Sequence, residues 1–569
     1  MEKALKEYTR WTRKNLPEDL MAELAAIRGD DREIYDRFCK EISFGTSGMR
    51  GKMGAGSNRI NSLTLRRASL GLAEYLLERY EKPELVIAYD TRINSREYAE
   101  GVAAVFADKG VGVYLFDEPT PVPVLSFAVR DMRLCAGIMI TASHNPKEYN
   151  GYKVYDSCGN QIDDTAAAEL EAYIGRQDFH AAGEAEQAEK SQSKILKLPE
   201  EIKRHYLAAV DENTPYSAEP TADKAALAKA ISELKICYTP LNGAGRTYVL
   251  ETLKRLGMKK ENIIEVETQK NPDGNFETCP YPNPEQDAVF DEALRVCKAQ
   301  EAKPQLILAT DPDSDRLGVM CLSDESGEYI RLSGNQIGEL LLDYVCECGG
   351  ENKKQRIAFK SFVSSPLTED IAAAHGVKMR NVFTGFKNIA CGMQRLEESG
   401  EGEFVFGFEE SLGYLCGNYT RDKDGIMAAR LVCLAAAGLM CRGKTLADRL
   451  EEIYSRCGYQ ETAPFAIEYE SEKDRLRVGH IMQAVFAGDF KRYIKRQCES
   501  FSVKKELCYR QQSMYSIQLE GGHSIIIRPS GTEPKLKVYV FARGNGRAEA
   551  AENAKELRRL TADFLEQAN

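Results

Sequence analysis

One pattern recurs three times along the chain and restricts what it can fold into: an apolar strand, a polar turn, a helical segment, a glycine and a second apolar strand. The first copy starts at Leu85-Val86-Ile87-Ala88-Tyr89, turns at Asp90-Thr91-Arg92, runs helical to about Lys109 and ends through Gly110 in Val113-Tyr114-Leu115-Phe116. The second starts at Ile236-Cys237-Tyr238-Thr239, turns at Pro240-Leu241-Asn242-Gly243 and closes through Gly257 in Ile263-Ile264-Glu265-Val266. The third starts at Ile357-Ala358-Phe359, turns at Ser364-Ser365-Pro366 and closes through Gly376 in Asn381-Val382-Phe383. Short apolar runs bounded by turn formers are buried strands, and strands alternating with helices build α/β sheets. The expected fold class is α/β: three similar α/β domains with mixed sheets. After about residue 455 the pattern changes. Ser524-Ile525-Ile526-Ile527 and Leu536-Lys537-Val538-Tyr539-Val540 flank a short loop, and an Ala/Glu/Arg-rich helix starts at Arg547, which predicts a smaller α+β C-terminal domain.

The expected division is an amphipathic helical cap over 1–42, α/β domains over 43–204, 205–324 and 325–455, and the C-terminal domain over 456–569. Such a length, 569 residues, exceeds what one hydrophobic core supports. The Ala, Glu, Gln and Ser-rich stretch from Arg176 to Lys197 is expected to be an exposed excursion. A net charge of −11 argues against a nucleic-acid partner, which would need a basic face. No run of 18 apolar residues and no apolar signal core are found, so neither a membrane span nor a secretory route is expected. The sixteen cysteines show neither disulfide nor C-x-x-C zinc spacing; reduced thiols imply a cytoplasmic protein.

Four segments carry candidate chemistry. Thr141-Ala142-Ser143-His144-Asn145-Pro146 follows the apolar strand Cys135–Ile140, and Pro146 ends regular structure. Ser143 is thereby displayed past the end of a strand, where open α/β sheets keep their chemistry. With His144 and Lys153 close in sequence, its hydroxyl suits a nucleophile or a carrier of a phosphoryl group. Asp311-Pro312-Asp313-Ser314-Asp315-Arg316 follows the strand Leu306–Ala309, and alternate carboxylates in an extended segment project to one side. Such a cluster asks for a cation, and all-oxygen ligands suit Mg²⁺. An EF-hand fails, since its sixth position would need glycine but is Arg316, and its twelfth glutamate but is Leu322. Arg316 makes sense if metal and phosphate share one pocket.

Gly407-Phe408-Glu409-Glu410-Ser411-Leu412-Gly413 follows another strand, and its carboxylates suit vicinal sugar hydroxyls; Lys423 lies just downstream, and Thr384 is a weaker signal. Arg528-Pro529-Ser530-Gly531-Thr532 lies between two strands and offers backbone N–H groups, hydroxyls and a guanidinium to an anion. It is not a Walker A loop, because a strand follows it. Upstream, the glycine-rich Phe44-Gly45-Thr46-Ser47-Gly48-Met49-Arg50 suggests a backbone that approaches something closely.

In their order along the chain, these segments resemble the phosphoserine, metal, sugar and phosphate loops of the α-D-phosphohexomutase superfamily and, within it, the phosphoglucomutases. The resemblance runs from about Phe44 to Lys537. It implies three similar α/β domains and a distinct fourth around a central cleft. It implies that Ser143 carries a phosphoryl group exchanged with glucose 1-phosphate and glucose 6-phosphate through glucose 1,6-bisphosphate. One Mg²⁺ would be held by Asp311, Asp313, Asp315 and a phosphoserine oxygen of Ser143. Lys153 matches the family lysine of proton transfer, and Arg50, Arg316 and His144 would surround the same phosphoryl group. Glu409, Ser411, Thr384 and Lys423 would contact the sugar, and Arg528, Ser530, Gly531 and Thr532 the non-reacting phosphate. The expected partners are small sugar phosphates, and the chain would be a monomer or homodimer. Phe408 and the Asn150-Gly151-Tyr152-Lys153 segment resemble the branch with phosphopentomutases and bisphosphate synthases, so phosphomannomutase or phosphopentomutase activity is the alternative.

Overall fold

The computed structural model describes residues 1–45, 48–179, 195–216, 220, 223–323, 325–349, 354–469, 472–498, 501–530 and 535–568. The chain divides into two compact units, Met1–Ser361 with Arg380–Leu446, and Phe362–Met379 with Ala447–Asn569.

Three mixed sheets build the first unit. The first has the order β1-β5-β4-β2-β3-β6, from β1 (Met49–Lys52), β2 (Glu84–Tyr89), β3 (Gly112–Leu115), β4 (Ala136–Ile140), β5 (Tyr149–Asp156) and β6 (Ile195–Lys197). β2, β3, β4 and β6 run parallel, β5 returns antiparallel beside β4, and β1 pairs antiparallel with the far edge of β5. β4 is buried along its whole length, as its continuous apolar run predicts for a strand covered on both faces. The second sheet, β11-β10-β9-β7-β8, comprises β7 (Ile236–Thr239), β8 (Ile263–Glu265), β9 (Leu306–Thr310), β10 (Leu317–Leu322) and β11 (Tyr329–Leu332). The third, β13-β12-β14-β15, comprises β12 (Arg356–Ser361), β13 (Lys378–Val382), β14 (Glu403–Glu409) and β15 (Gly413–Cys416).

The end of the Arg176–Lys197 stretch departs from expectation. Ile195–Lys197 is β6, an edge strand paired with β3, because three residues suffice to extend a parallel sheet whose neighbour is already ordered. Residues 180–194 lie outside the described residues.

The N-terminal cap is three helices, Glu2–Thr12, Glu18–Ala26 and Asp31–Phe38, around a small core that includes fully buried Trp11 and takes in Ala55 and Phe179 from outside the cap. Its polar edge grips the backbone after β1: Glu23 accepts from Ala55 N at 2.9 Å, and Arg37 donates to Ala55 O at 3.2 Å. In the second unit, β16 (Tyr459–Thr462), β17 (Phe465–Glu468), β18 (Val503–Tyr509), β19 (Met514–Leu519), β20 (Ser524–Pro529) and β21 (Lys535–Gly544) form an antiparallel sheet packed against the helix Arg547–Gln567 through Leu557, Leu560 and Phe564. Burying each such side chain contributes roughly 1.5–3 kcal/mol. All sixteen cysteines are free thiols, and among the described residues no helix is long and apolar enough to cross a membrane.

Candidate active site

Three strand ends of the first unit deliver the candidate residues to one place. Ser143 lies three residues past β4, the acidic segment connects β9 to β10, and residues 410–412 connect β14 to β15. Backbone hydrogen bonds lock the connections together: Val122 N donates to Asp313 O at 2.9 Å, Leu317 N to Leu412 O at 3.0 Å, and Gly425 N to Ser314 O at 3.1 Å.

Ser143 is in the left-handed region, at φ 52°, which a non-glycine residue adopts only when its surroundings enforce it. Its surroundings do so. Ser143 N donates to Thr141 Oγ1 at 2.7 Å, and that hydroxyl donates to Asp90 Oδ2 at 2.6 Å. The fully buried guanidinium of Arg92 donates to the carbonyls of Ser143, Asn145, Pro146 (2.8 Å) and Tyr149 (3.2 Å), gathering the whole turn onto one side chain. Ser143 Oγ donates to Asp311 Oδ2 at 2.9 Å and lies 3.2 Å from His144 Nδ1. Burial, then the Arg316, Arg50 and Arg92 cations, hold His144 well below its ordinary range, so its imidazole is neutral.

The acidic residues converge differently from the expected extended segment. Ser314 sits at φ 55° and its amide bonds back to Asp311 O, so a tight turn, not strand alternation, brings the three carboxylates together. One ligand oxygen from each of Asp311, Asp313 and Asp315 lies within 4.8 Å of the others, and all three residues are buried. Asp313 Oδ1 and Asp315 Oδ1 have no hydrogen-bond partner among the described residues. Buried orphan carboxylate oxygens in a hard-donor cluster are what a divalent cation such as Mg²⁺ would satisfy, so the residues fit a metal. Burial, then Asp313 and Asp315, push the Asp311 carboxyl up, whereas Lys153 holds Asp313 down against burial.

Cations ring this centre. Lys153, on β5, lies 2.9 Å from Asp313 and 3.8 Å from Asp315. Lys423 lies 3.1 Å from Asp315. Arg50, on β1, donates to Asn145 at 3.1 Å. Arg316 presents Nε and Nη1, both buried without a hydrogen-bond partner among the described residues, with Glu285 3.5 Å away as its nearest counter-charge outside the acidic turn. Glu409 ends β14 and accepts from Gly385 N at 2.7 Å, beside the half-buried Thr384, and Ser411 is half-buried in the turn that follows. Arg528 and Ser530 belong to the second unit, and Gly531 and Thr532 lie outside the described residues.

Asp90, Arg92 and Glu285 do not stand out from motif spacing. The signal for the first two is topological. β2 and β4 are parallel neighbours, so the turn after β2 must meet the turn after β4.

Burial pushes the Glu409 carboxyl up to about 7, with Lys423 opposing and Glu410 reinforcing. Because the folded value exceeds the ordinary 4.5, folding favours the protonated form. That contribution is fully present below 4.5 and is lost as pH rises through about 7. The melting temperature of wild type relative to Glu409→Gln is therefore expected to fall between about pH 5 and pH 8. A flat difference across that window would place Glu409 in a wetter, ordinary environment.

Comparison with known proteins matches this geometry to one family. Four family models cover the chain in order: the phosphoglucomutase/phosphomannomutase alpha/beta/alpha domains I, II and III over residues 41–181, 214–323 and 333–457, and the family's C-terminal domain over 494–566. The chain belongs to the phosphoglucomutase/phosphomannomutase family. A phosphoglucomutase of Staphylococcus aureus is 35% identical over 527 residues, covering 90% of this chain and 91% of its own. The fold also matches the open form of a Paramecium phosphoprotein, parafusin (a phosphoglucomutase), at TM-score 0.69 and 17% identity over 92% of this chain and 94% of that one. An Aspergillus fumigatus N-acetylphosphoglucosamine mutase, solved with GlcNAc-6P and magnesium, matches at TM-score 0.52 and 15% identity over 99% of each chain. The chain is thus a mutase of the phosphohexomutase type, with three α/β domains and a smaller C-terminal domain.

Proposed function

We propose that this mutase interconverts α-D-glucose 1-phosphate and glucose 6-phosphate through a phosphorylated Ser143 and glucose 1,6-bisphosphate. The observation that carries the reading is Ser143 Oγ, fixed on a left-handed turn 2.9 Å from the acidic cluster. The phosphoglucomutase relatives and the Glu409-Glu410-Ser411 loop support glucose as the sugar.

In the first half-reaction, the bond from Ser143 Oγ to phosphorus breaks and one from the free sugar hydroxyl oxygen to phosphorus forms. Lys153, beside the same carboxylates, relays the hydroxyl proton, giving one ammonium proton to the departing Ser143 oxygen and taking the sugar's in its place. Arg50 and Arg316 hold the phosphoryl oxygens, and neutral His144 donates its Nδ1–H to the Ser143 oxygen. Glu409, Ser411, Thr384 and Lys423 orient the sugar. Arg528, Ser530, Gly531 and Thr532 grip the other phosphate, supplying binding energy distant from the reacting atoms. The bisphosphate then turns over and returns its second phosphate to Ser143. Asp311, Asp313, Asp315 and a phosphoserine oxygen would hold one Mg²⁺, which offsets charge on the transferring group when bound. The further elements of the reading are the five-segment division given above, small sugar phosphates as the partners, a monomer or homodimer, and a cytoplasmic location.

A coupled assay for glucose 6-phosphate tests this reading, with Mg²⁺, a trace of glucose 1,6-bisphosphate, and parallel mannose 1-phosphate and ribose 1-phosphate. Fast turnover on glucose supports it, whereas faster turnover on mannose or ribose moves the substrate. Chelation with EDTA is expected to lower the rate by about 10³-fold, the equivalent of several kcal/mol, and added Mg²⁺ to restore it. Unchanged turnover in EDTA would contradict a metal among the three aspartates.

A further inference from the structure

Lys423 is not held by its own loop alone. Asp422, 2% exposed, accepts from Lys423 Nζ at 3.0 Å through Oδ1, and through Oδ2 it accepts from the Tyr155 hydroxyl at 2.7 Å. Tyr155 lies two residues after Lys153 on β5, so both side chains project from the same face of that strand. Lys153 bonds Asp313, and Lys423 bonds Asp315. The result is a closed circuit: Lys153 and Tyr155 on one strand, Asp313 and Asp315 on one turn, and Asp422 and Lys423 on one loop.

We propose that Asp422, clamped by the Tyr155 hydroxyl, is the positioning residue that holds Lys423 on the substrate side of the acidic cluster. This rests on Lys423 acting as a sugar contact in the proposed function. The circuit joins all three α/β domains, so the lysine that meets the sugar is registered by the same strand that carries the proton-transfer lysine. Without Asp422, Lys423 is left with Asp315 as its ion-pair partner among the described residues. Its long stem has several rotamers, and confining them before substrate arrives removes an ordering cost from binding. Asp424 completes the support as N-cap of the helix Gly425–Met440, accepting from Ile426 N and Met427 N at 2.9 Å each. That cap fixes the backbone next to Lys423 and leaves its side chain to Asp422 and Asp315.

The test is a double-mutant cycle on the holoenzyme with Mg²⁺ and glucose 1,6-bisphosphate, using Tyr155→Phe and Asp422→Asn alone and with Lys423→Met. Tyr155→Phe removes one hydroxyl from an otherwise unchanged ring, so it is informative even if Asp422→Asn folds poorly. Each single change is expected to raise KM for the sugar phosphate by about tenfold with kcat altered by less than about threefold, within the coupling range of residues in contact. In the Lys423→Met background, Tyr155→Phe is expected to change KM by less than about twofold. An equal rise in KM in both backgrounds, or no rise in either, would overturn the inference. Wild-type turnover separates this from the parent reading. An active wild type with an additive cycle removes only the role of Asp422, whereas a wild type inactive on every sugar phosphate removes both.

Discussion

Replacing Ser143 by alanine is expected to lower turnover of glucose 1-phosphate by about 10⁵-fold or more, the scale seen when a nucleophile is deleted. The substitution removes one oxygen and leaves the fold nearly intact. The turn is held by the Ser143 amide, by Arg92 and by Thr141, none of which involves Oγ. The Oγ–Asp311 hydrogen bond contributes only about 1 kcal/mol to stability. No neighbour can take over, because His144 is directed at the lost oxygen and Lys153 is engaged with Asp313. Adding glucose 1,6-bisphosphate should not rescue the variant, since the phosphate has no acceptor. The coupled assay checks the rate, and the intact mass of the protein checks that phosphate is absent. Residual turnover above about 1% of wild type would mean that the phosphoryl group travels without Ser143.

The second large effect is expected at Arg92. Its side chain is fully buried, its ion pair with Asp90 spans 3.3 Å, and its other partners are the carbonyls of the Ser143 turn. Arg92→Met leaves a buried carboxylate unpaired and several carbonyls unsatisfied, a combination that costs about 3–5 kcal/mol. The left-handed Ser143 backbone loses what enforces it, so the hydroxyl drifts from its line to substrate, and a misplacement of about 1 Å costs roughly 10²-fold in rate. Arg92→Lys should recover little, because an ammonium cannot spread over four carbonyls as a planar fork does. Thermal unfolding and kcat at saturating substrate are the paired readouts. Wild-type kcat in Arg92→Lys would show that the turn keeps its shape without the fork.

What was legible in the sequence follows from the range of the interactions involved. Apolar runs and turn residues are local, and they located β2, β4, β7, β9, β12 and β14 together with the turns at their ends. The chemistry-bearing residues of those turns, Ser143, Asp311, Asp313 and Asp315, are brought near one another because strand ends are where α/β sheets expose side chains. The shape of the acidic turn is not legible in its alternation, which implies one face only in extended backbone, and Ser314 breaks it. The supports were not legible. Arg92 acts on carbonyls 51 to 57 residues away, and Asp422 on a hydroxyl 267 residues away. Backbone acceptors carry no residue identity for a sequence to reveal. The edge strand Ile195–Lys197 was hidden for a related reason: its pairing is supplied by β3, not by a pattern of its own.

The central claim is that the phosphate on Ser143 is the phosphate that reaches the sugar. It is tested most directly by labelling Ser143 with radioactive phosphate from glucose 1,6-bisphosphate, then mixing the purified phosphoenzyme with unlabelled glucose 1-phosphate in a single turnover. Label leaving Ser143 as fast as steady-state turnover, and appearing in glucose 1,6-bisphosphate and glucose 6-phosphate, is the expected result. Label remaining on Ser143 while glucose 6-phosphate forms at the full rate would contradict it.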